Sequence, residues 1–154
     1  MTMETTLAVS EPSILQGAEL HRLVPHDGAM RLLARVLRVE EASIVCEADS
    51  HLSGDNPLRS HGRLPITAGI EYAAQAAAIH ASLTGDEAEP GRGGSLAVLS
   101  NIAWRVDRLD DLDGPLRVRA TRIARTGAAL QYEFALETVA GAVLIDGVLM
   151  IALA

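Results

Sequence analysis

Between Pro65 and Gly85 the chain runs Ile66-Thr-Ala-Gly-Ile-Glu71-Tyr-Ala-Ala-Gln75-Ala-Ala-Ala-Ile-His80-Ala-Ser-Leu83, and no other stretch restricts the fold as much. Nearly every position is alanine, glycine or aliphatic. The pattern predicts a helix from about Pro65 to Leu83 that is apolar around most of its circumference and therefore buried. Pro65 suits the first helical turn, and Thr84-Gly85 ends it. A helix without a solvent face has to be enclosed by other elements. The seven alanines between Ala68 and Ala81 let those elements come close to its axis.

The enclosing elements are strands. Leu130, Tyr132, Phe134 and Leu136 alternate with Gln131, Glu133, Ala135 and Glu137, the period of a strand with one buried face. Leu116, Val118 and Ala120 alternate with arginines and threonine in the same way. Ala140-Gly141 turns the chain into an almost continuously apolar segment, Ala142 to Leu153, expected to be a central strand. Upstream, Arg31 to Val39 and Ser43 to Asp49 form a predicted hairpin, and Ile14 to Met30 a brief helix leading into a loop at Pro25-His26-Asp27-Gly28. A polar loop, His51 to Arg63, delivers the chain to the helix, and Asp86 to Gly94 is a glycine-rich connection after it. Residues 1–12 are polar and unpatterned, a flexible lead to a single domain over 13–154. The order predicts an α+β fold in which one curved antiparallel sheet wraps one long helix.

Composition removes whole classes of function. With 154 residues, 49% hydrophobic content and a net charge of -7, the chain is a folded domain whose acidity argues against nucleic acid as partner. All of its basic residues are arginine, which rules out a lysine nucleophile or Schiff base. The single cysteine, Cys46, reads as a small buried strand residue in a reducing cytoplasm. No leader or membrane-spanning apolar run is apparent. No phosphate-binding glycine loop, zinc site or serine elbow occurs, and the acidic loop Asp107 to Asp113 lacks the glycine and glutamate of a calcium loop. No metal or cofactor is expected.

The exception in the helix is Glu71. A carboxylate among alanines is costly to ionise unless paired or hydrogen-bonded, and an acid with a raised pKa near an imidazole, here His61, suits proton transfer. A structural alternative pairs Glu71 with Arg63. His51 reads as a solvated loop residue and His80 as a partner for the helix end. Arg105, Arg108, Arg117, Arg119, Arg122 and Arg125 read either as a docking surface for an acidic partner or as the solvated side of strands.

Four stretches carry a family resemblance: Leu23-Val-Pro-His26 leading to Met30 through Leu37, Asn56-Pro-Leu-Arg-Ser-His61-Gly, Gly69-Ile-Glu71-Tyr-Ala-Ala-Gln75-Ala, and Val139 through Ile151. In order and spacing they resemble the hotdog-fold 3-hydroxyacyl-acyl-carrier-protein dehydratases of bacterial fatty-acid synthesis. The stretch from His61 to Gln75 is most similar to the dehydratase-like branch of aryl-polyene and pigment pathways. The resemblance implies dehydration of a 3-hydroxyacyl thioester on acyl-carrier protein. In that role His61 takes the proton next to the thioester carbonyl and Glu71 helps expel the hydroxyl. Amides near Ile66 and Thr67 polarise the carbonyl, and Gln75 orients the Glu71 carboxyl.

The resemblance also implies a dimer, with the two catalytic residues from different subunits, so a second copy or a related hotdog subunit is the expected partner. Only Gly62-Arg63-Leu64 separates His61 from Pro65, where the fatty-acid enzymes have a longer glycine- and proline-rich segment. His26 is therefore kept as an alternative base. A non-catalytic subunit that completes an active partner and a hotdog thioesterase remain as alternative functions.

Overall fold

In the computed structural model, which describes residues 13–24, 28–86 and 94–153, the period-two segments become long antiparallel strands. They are β5 (Leu116–Arg125), β6 (Ala129–Thr138) and β7 (Val143–Leu153), preceded by β4 (Gly94–Trp104). The N-terminal part supplies β1 (Leu15–Gln16), a single helical turn α1 (Gly17–His21), and the hairpin β2 (Arg35–Val39) and β3 (Ser43–Ala48). All strands join one antiparallel sheet in the order β1-β2-β3-β5-β6-β7-β4. The predicted lead, residues 1–12, lies outside the described residues.

The buried helix is α2 (Gly69–Leu83), entered through a tight 3-10 turn over Ile66–Ala68. Tyr72, Ala73, Ala76, Ala77 and Ile79 are fully buried, packed with Ile44, Val118, Leu130, Tyr132, Leu136, Ile145 and Leu149 of the sheet. Small side chains do set the approach. A Cβ at Gly69 would lie 3.0 Å from Leu136 Cδ2 and 3.2 Å from Ile145 Cγ2, so the helix begins where only glycine fits comfortably. Cys46 is buried in β3, and burial pushes its thiol pKa up, which keeps it an inert core residue. Among the described residues no helix is long and apolar enough to cross a membrane.

The apolar segment expected at the centre, β7, is interior but not central. The connection after α2 carries the chain to the far edge, so β4 covers the outer side of β7 and β5 takes the middle. β4 follows β7 with irregular register, shifting between Leu96 and Val98 and again between Ser100 and Ala103, where Asn101 adopts φ 54°. The second shift turns Ile102 onto Gly147. A Cβ on Gly147 would fall 2.4 Å from Ile102 Cδ1, 3.2 Å from Ile102 Cα and 3.3 Å from Phe134 Cε2. The Cδ1 atom can swing away, but backbone and a packed ring cannot do so freely. Gly147→Ala is therefore expected to cost about 1–3 kcal/mol by overpacking. Urea unfolding checks it: the midpoint falls at an unchanged slope.

Candidate functional site

His61 sits at the first central position of a two-residue hairpin turn. The flanking Ser60 and Arg63 exchange backbone hydrogen bonds of 2.7 and 3.0 Å, and both His61 (φ 54°) and Gly62 (φ 75°) are left-handed. Two positive φ values in succession define the primed turn that matches strand twist. Glycine takes this conformation freely; histidine takes it at a cost of order 1 kcal/mol. The imidazole is exposed, with Nδ1 3.1 Å from Ser60 Oγ, and Nε2 has no hydrogen-bond partner among the described residues. It lines a cleft of ≈ 760 Å³ together with Ser60, Arg63, Pro65, Asp107 and Arg108.

The base of the turn is anchored far more firmly than an exposed hairpin requires. Leu64, fully buried, donates its amide to Asp110 Oδ1 at 2.8 Å, and its carbonyl accepts from the Leu109 amide at 2.8 Å. The Arg108 guanidinium grips the same carboxylate through both oxygens. Those Arg108 bonds first, and the Leu64 amide second, hold Asp110 well below the usual carboxylate range. The acidic loop, which the sequence only excludes as a calcium site, thus supplies the anchor of the helix entrance.

Glu71 lies in the first turn of α2 and is half-buried. The expected full burial does not hold, because α2 is enclosed on all but one stripe. Along that stripe Thr67 is exposed and Ile70, Glu71 and Ala74 are half-buried, the three- and four-residue spacing of one helix face. Among the described residues no hydrogen bond or ion pair engages the Glu71 carboxylate, so the alternative pairing with Arg63 is not made. No hydrogen bond joins Glu71 to His61 within the chain either.

The other expected site residues are placed as follows. Gln75 is buried and does not turn to Glu71. Its Oε1 accepts the Leu32 amide at 3.1 Å and its Nε2 donates to the Met30 carbonyl at 2.7 Å, because a buried amide has to satisfy both its ends and this backbone lies opposite it. The Ile66 amide, expected to be free, donates to the Asp107 carbonyl at 3.0 Å. The Thr67 amide has no such partner among the described residues. His26 lies outside the described residues. Among those described, no group of three or more His, Cys, Asp or Glu side chains is arranged to hold a metal ion.

His51, expected to be solvated, is not, and His80, in the last turn of α2 as expected, turns its ring into the core. His51 is fully buried, its Nε2 donating to the Gly114 carbonyl at 3.0 Å. His80 is fully buried between the Glu40 carbonyl and the Tyr132 hydroxyl. Burial lowers both pKa values. The loop before the helix is likewise tied down. Ser50 Oγ donates to the Leu32 carbonyl at 2.7 Å, so the Tyr72 hydroxyl is the donor in its 2.8 Å bond to Ser50, and Asn56 Nδ2 donates to Tyr72 at 3.0 Å. Sequence reasoning passes over Tyr72 and Asn56 because a buried tyrosine and a loop asparagine carry no periodic signal.

The six arginines considered for a docking surface each face a carboxylate. Arg105 meets Asp146 at 3.3 Å, Arg117 meets Glu47 at 3.6 Å, Arg119 meets Glu137 at 3.1 Å, and Arg108 meets Asp110. Arg122 and Arg125 share the nearly buried Asp86 at 2.7 and 2.9 Å. The six guanidiniums share five carboxylates, so each is ion-paired within the chain. The edge strand β4 differs. Leu99 pairs with Leu149 and Trp104 with Ile145, so both share the helix-side face of the sheet, yet they are 42% and 53% exposed.

Residues 18–152 match the family model described as ApeP-like, ApeP dehydratase. Among solved structures the chain is similar to one from the dehydratase heterocomplex ApeI:P of Xenorhabdus doucetiae, with TM-score 0.75, 22% identity, and 88% and 90% of the two chains covered. It is also similar to a thioesterase from Haemophilus influenzae, with TM-score 0.57, 14% identity, and coverage of 77% and 76%. A hypothetical thioesterase with coenzyme A from Streptococcus pneumoniae matches with TM-score 0.55, 11% identity, and coverage of 78% and 84%. At these identities the structural likenesses establish the hotdog fold. No curated protein sequence matches the chain.

Proposed function

We propose, since this chain belongs to the ApeP-like dehydratase family, that it removes water from a 3-hydroxyacyl thioester borne by acyl-carrier protein, leaving the trans-2-enoyl thioester. The pathway is fatty-acid-like or aryl-polyene synthesis in the cytoplasm. The observation that carries this reading is the Glu71 carboxyl, unpartnered among the described residues on the one open stripe of an otherwise enclosed helix.

In this mechanism the open Nε2 of His61 takes the proton from the carbon beside the thioester carbonyl, and the C–H electron pair moves into an enolate. The Thr67 amide is the first-turn donor available to that oxygen, with Ile66 lining the approach. As the enolate collapses, the C3–O bond breaks and Glu71 gives its proton to the leaving hydroxyl. Water departs, and proton exchange with solvent resets both groups. Gln75 acts at one remove, holding the Met30 to Leu32 segment against α2. His26 is the alternative base.

Because no hydrogen bond joins His61 to Glu71 within the chain, the site is completed by a second hotdog subunit that covers the open stripe and the exposed Leu99 and Trp104. That subunit is either another copy or a related chain, as in the heterocomplex named above. A second reading draws on the same missing contact: the chain is a weakly active subunit that completes a catalytic partner. Assay of the purified protein, alone and with a co-encoded homologue, on 3-hydroxyacyl and 2-enoyl carrier thioesters separates them. Reversible hydration that disappears in His61→Ala supports the first reading. Activity that needs the homologue and survives that change supports the second, and release of free acid indicates a thioesterase.

A further inference from the structure

We infer that Asp110 is a positioning residue for His61, bolting the turn that carries the imidazole to the entrance of the central helix. The inference rests on the reading of His61 as the base, and it starts from a mismatch. An exposed two-residue hairpin needs no buried anchor, and at its first position asparagine or glycine is the favoured residue. Here a histidine is held in the left-handed region (φ 54°). Beneath it lies an aspartate whose side chain is only 6% exposed. Local strain and a nearly buried charge are both costs that a plain turn would not carry.

The connections run to the turn from two sides. On one, Asp110 Oδ1 accepts the Leu64 amide at 2.8 Å and Arg108 Nε at 3.0 Å, and Ile66 donates to the Asp107 carbonyl at 3.0 Å, so the descending arm of the hairpin is fixed to loop 107–110. On the other, Asp110 Oδ2 lies 3.7 Å from Arg59, whose guanidinium reaches the Gly62 carbonyl at 3.3 Å, the Ser53 carbonyl at 2.8 Å and the His51 carbonyl at 3.3 Å. Arg59 therefore holds the Gly62–Arg63 peptide, one residue beyond His61 in the turn, and Asp110 balances the charge that does so. The Arg108 bonds first, and the Leu64 amide second, lower the Asp110 pKa and so keep its carboxylate ionised at neutral pH. General-base catalysis is sensitive to placement on the scale of 1 Å, so loosening this anchor should be felt in turnover more than in binding.

The experiment compares Asp110→Ala and Asp110→Asn, each alone and combined with His61→Ala, in the full chain together with whatever subunit its activity requires. With His61 present, Asp110→Ala is expected to lower kcat about tenfold or more with KM within about twofold. Asp110→Asn, which keeps an acceptor for the Leu64 amide, should fall between. In the His61→Ala background the removal of Asp110 should change the residual rate by less than about twofold, because there is no imidazole left to place. An equal fall in both backgrounds overturns the inference. Long-range nitrogen spectra of the His61 ring supply a second readout, independent of activity. If His61→Ala leaves the rate untouched, the base assignment fails, and positioning is then judged by those spectra alone: an unshifted His61 signal in Asp110→Asn overturns it. If Asp110→Ala does not fold, Arg59→Met breaks the same link to Gly62 and takes its place.

Discussion

Replacing Glu71 with glutamine is expected to reduce dehydration by about two to four orders of magnitude while the protein remains folded. The size of the loss is that of removing a positioned general acid. Glutamine keeps the shape of the carboxyl but has no acidic proton to give to a leaving hydroxide. The fold is expected to tolerate the change because no described residue hydrogen-bonds to the Glu71 carboxylate, so nothing buried loses a partner and the stability change stays within about 0.5 kcal/mol. KM should move little, since the interaction is made in the transition state and not with the bound substrate. Steady-state rates on the 3-hydroxyacyl carrier thioester, with thermal melts on the same samples, test both halves. Should the chain work only with a related subunit, the substitution is made in each chain in turn. Full activity with glutamine in this chain, and loss with the matching change in the other, would assign catalysis to the partner's acid and this chain to the completing role.

The architecture was more legible than the site, for a physical reason that particular residues make plain. Burial imposes periodicity, and periodicity survives in sequence: Leu130 to Leu136 on one face of β6 and the alanines of α2 are where the pattern puts them. Register and strand order depend on pairings between distant segments, so the path of β4 to the far side of β7 left no local trace. Polar groups are harder still, because the chemistry of a side chain says what it can bond and not what lies opposite it. Gln75 shares a helix face with Glu71, and its amide is nonetheless consumed by the backbone at Met30 and Leu32. Asp110 belongs to an acidic run to which the sequence assigns no structural role, and its side chain is only 6% exposed. The Ile66 amide is at a helix start, where free donors are the rule, but a carbonyl from loop 107–110 reaches it first. In Gln75 and Ile66 a long-range partner displaced the expected local role.

His80 is the strongest case, and its substitution should have the largest effect on stability. The ring is fully buried. Its Nε2 lies 3.0 Å from the Glu40 carbonyl, which can only accept, so Nε2 carries the proton and Nδ1 accepts from the Tyr132 hydroxyl at 2.7 Å. The two rings meet edge to face with centroids 5.5 Å apart. His80→Ala removes both hydrogen bonds and opens a cavity, which together should cost about 3–5 kcal/mol, a large part of the stability of a domain this size. His80→Gln can retain a donor and an acceptor and should lose less. The same geometry sets a pH dependence. Burial first, and then the nearby Arg122 charge, lower the His80 pKa, against the Glu40 carbonyl and Asp86, which act to raise it. The folded state therefore binds fewer protons than the unfolded one. Its stability is complete above the unfolded value of about 6.5 and falls as the pH drops from there through the lower folded pKa. His51, lowered chiefly by burial, adds to the same fall. Melting temperatures taken from pH 7.5 to 5 should drop by several degrees more in the native protein than in His80→Gln, where only the His51 part persists. An identical pH profile in the two proteins would mean that folding leaves the His80 pKa where it was, and a smaller drop in the native protein than in His80→Gln would mean that the ring is charged inside the fold, with Nδ1 donating to Tyr132.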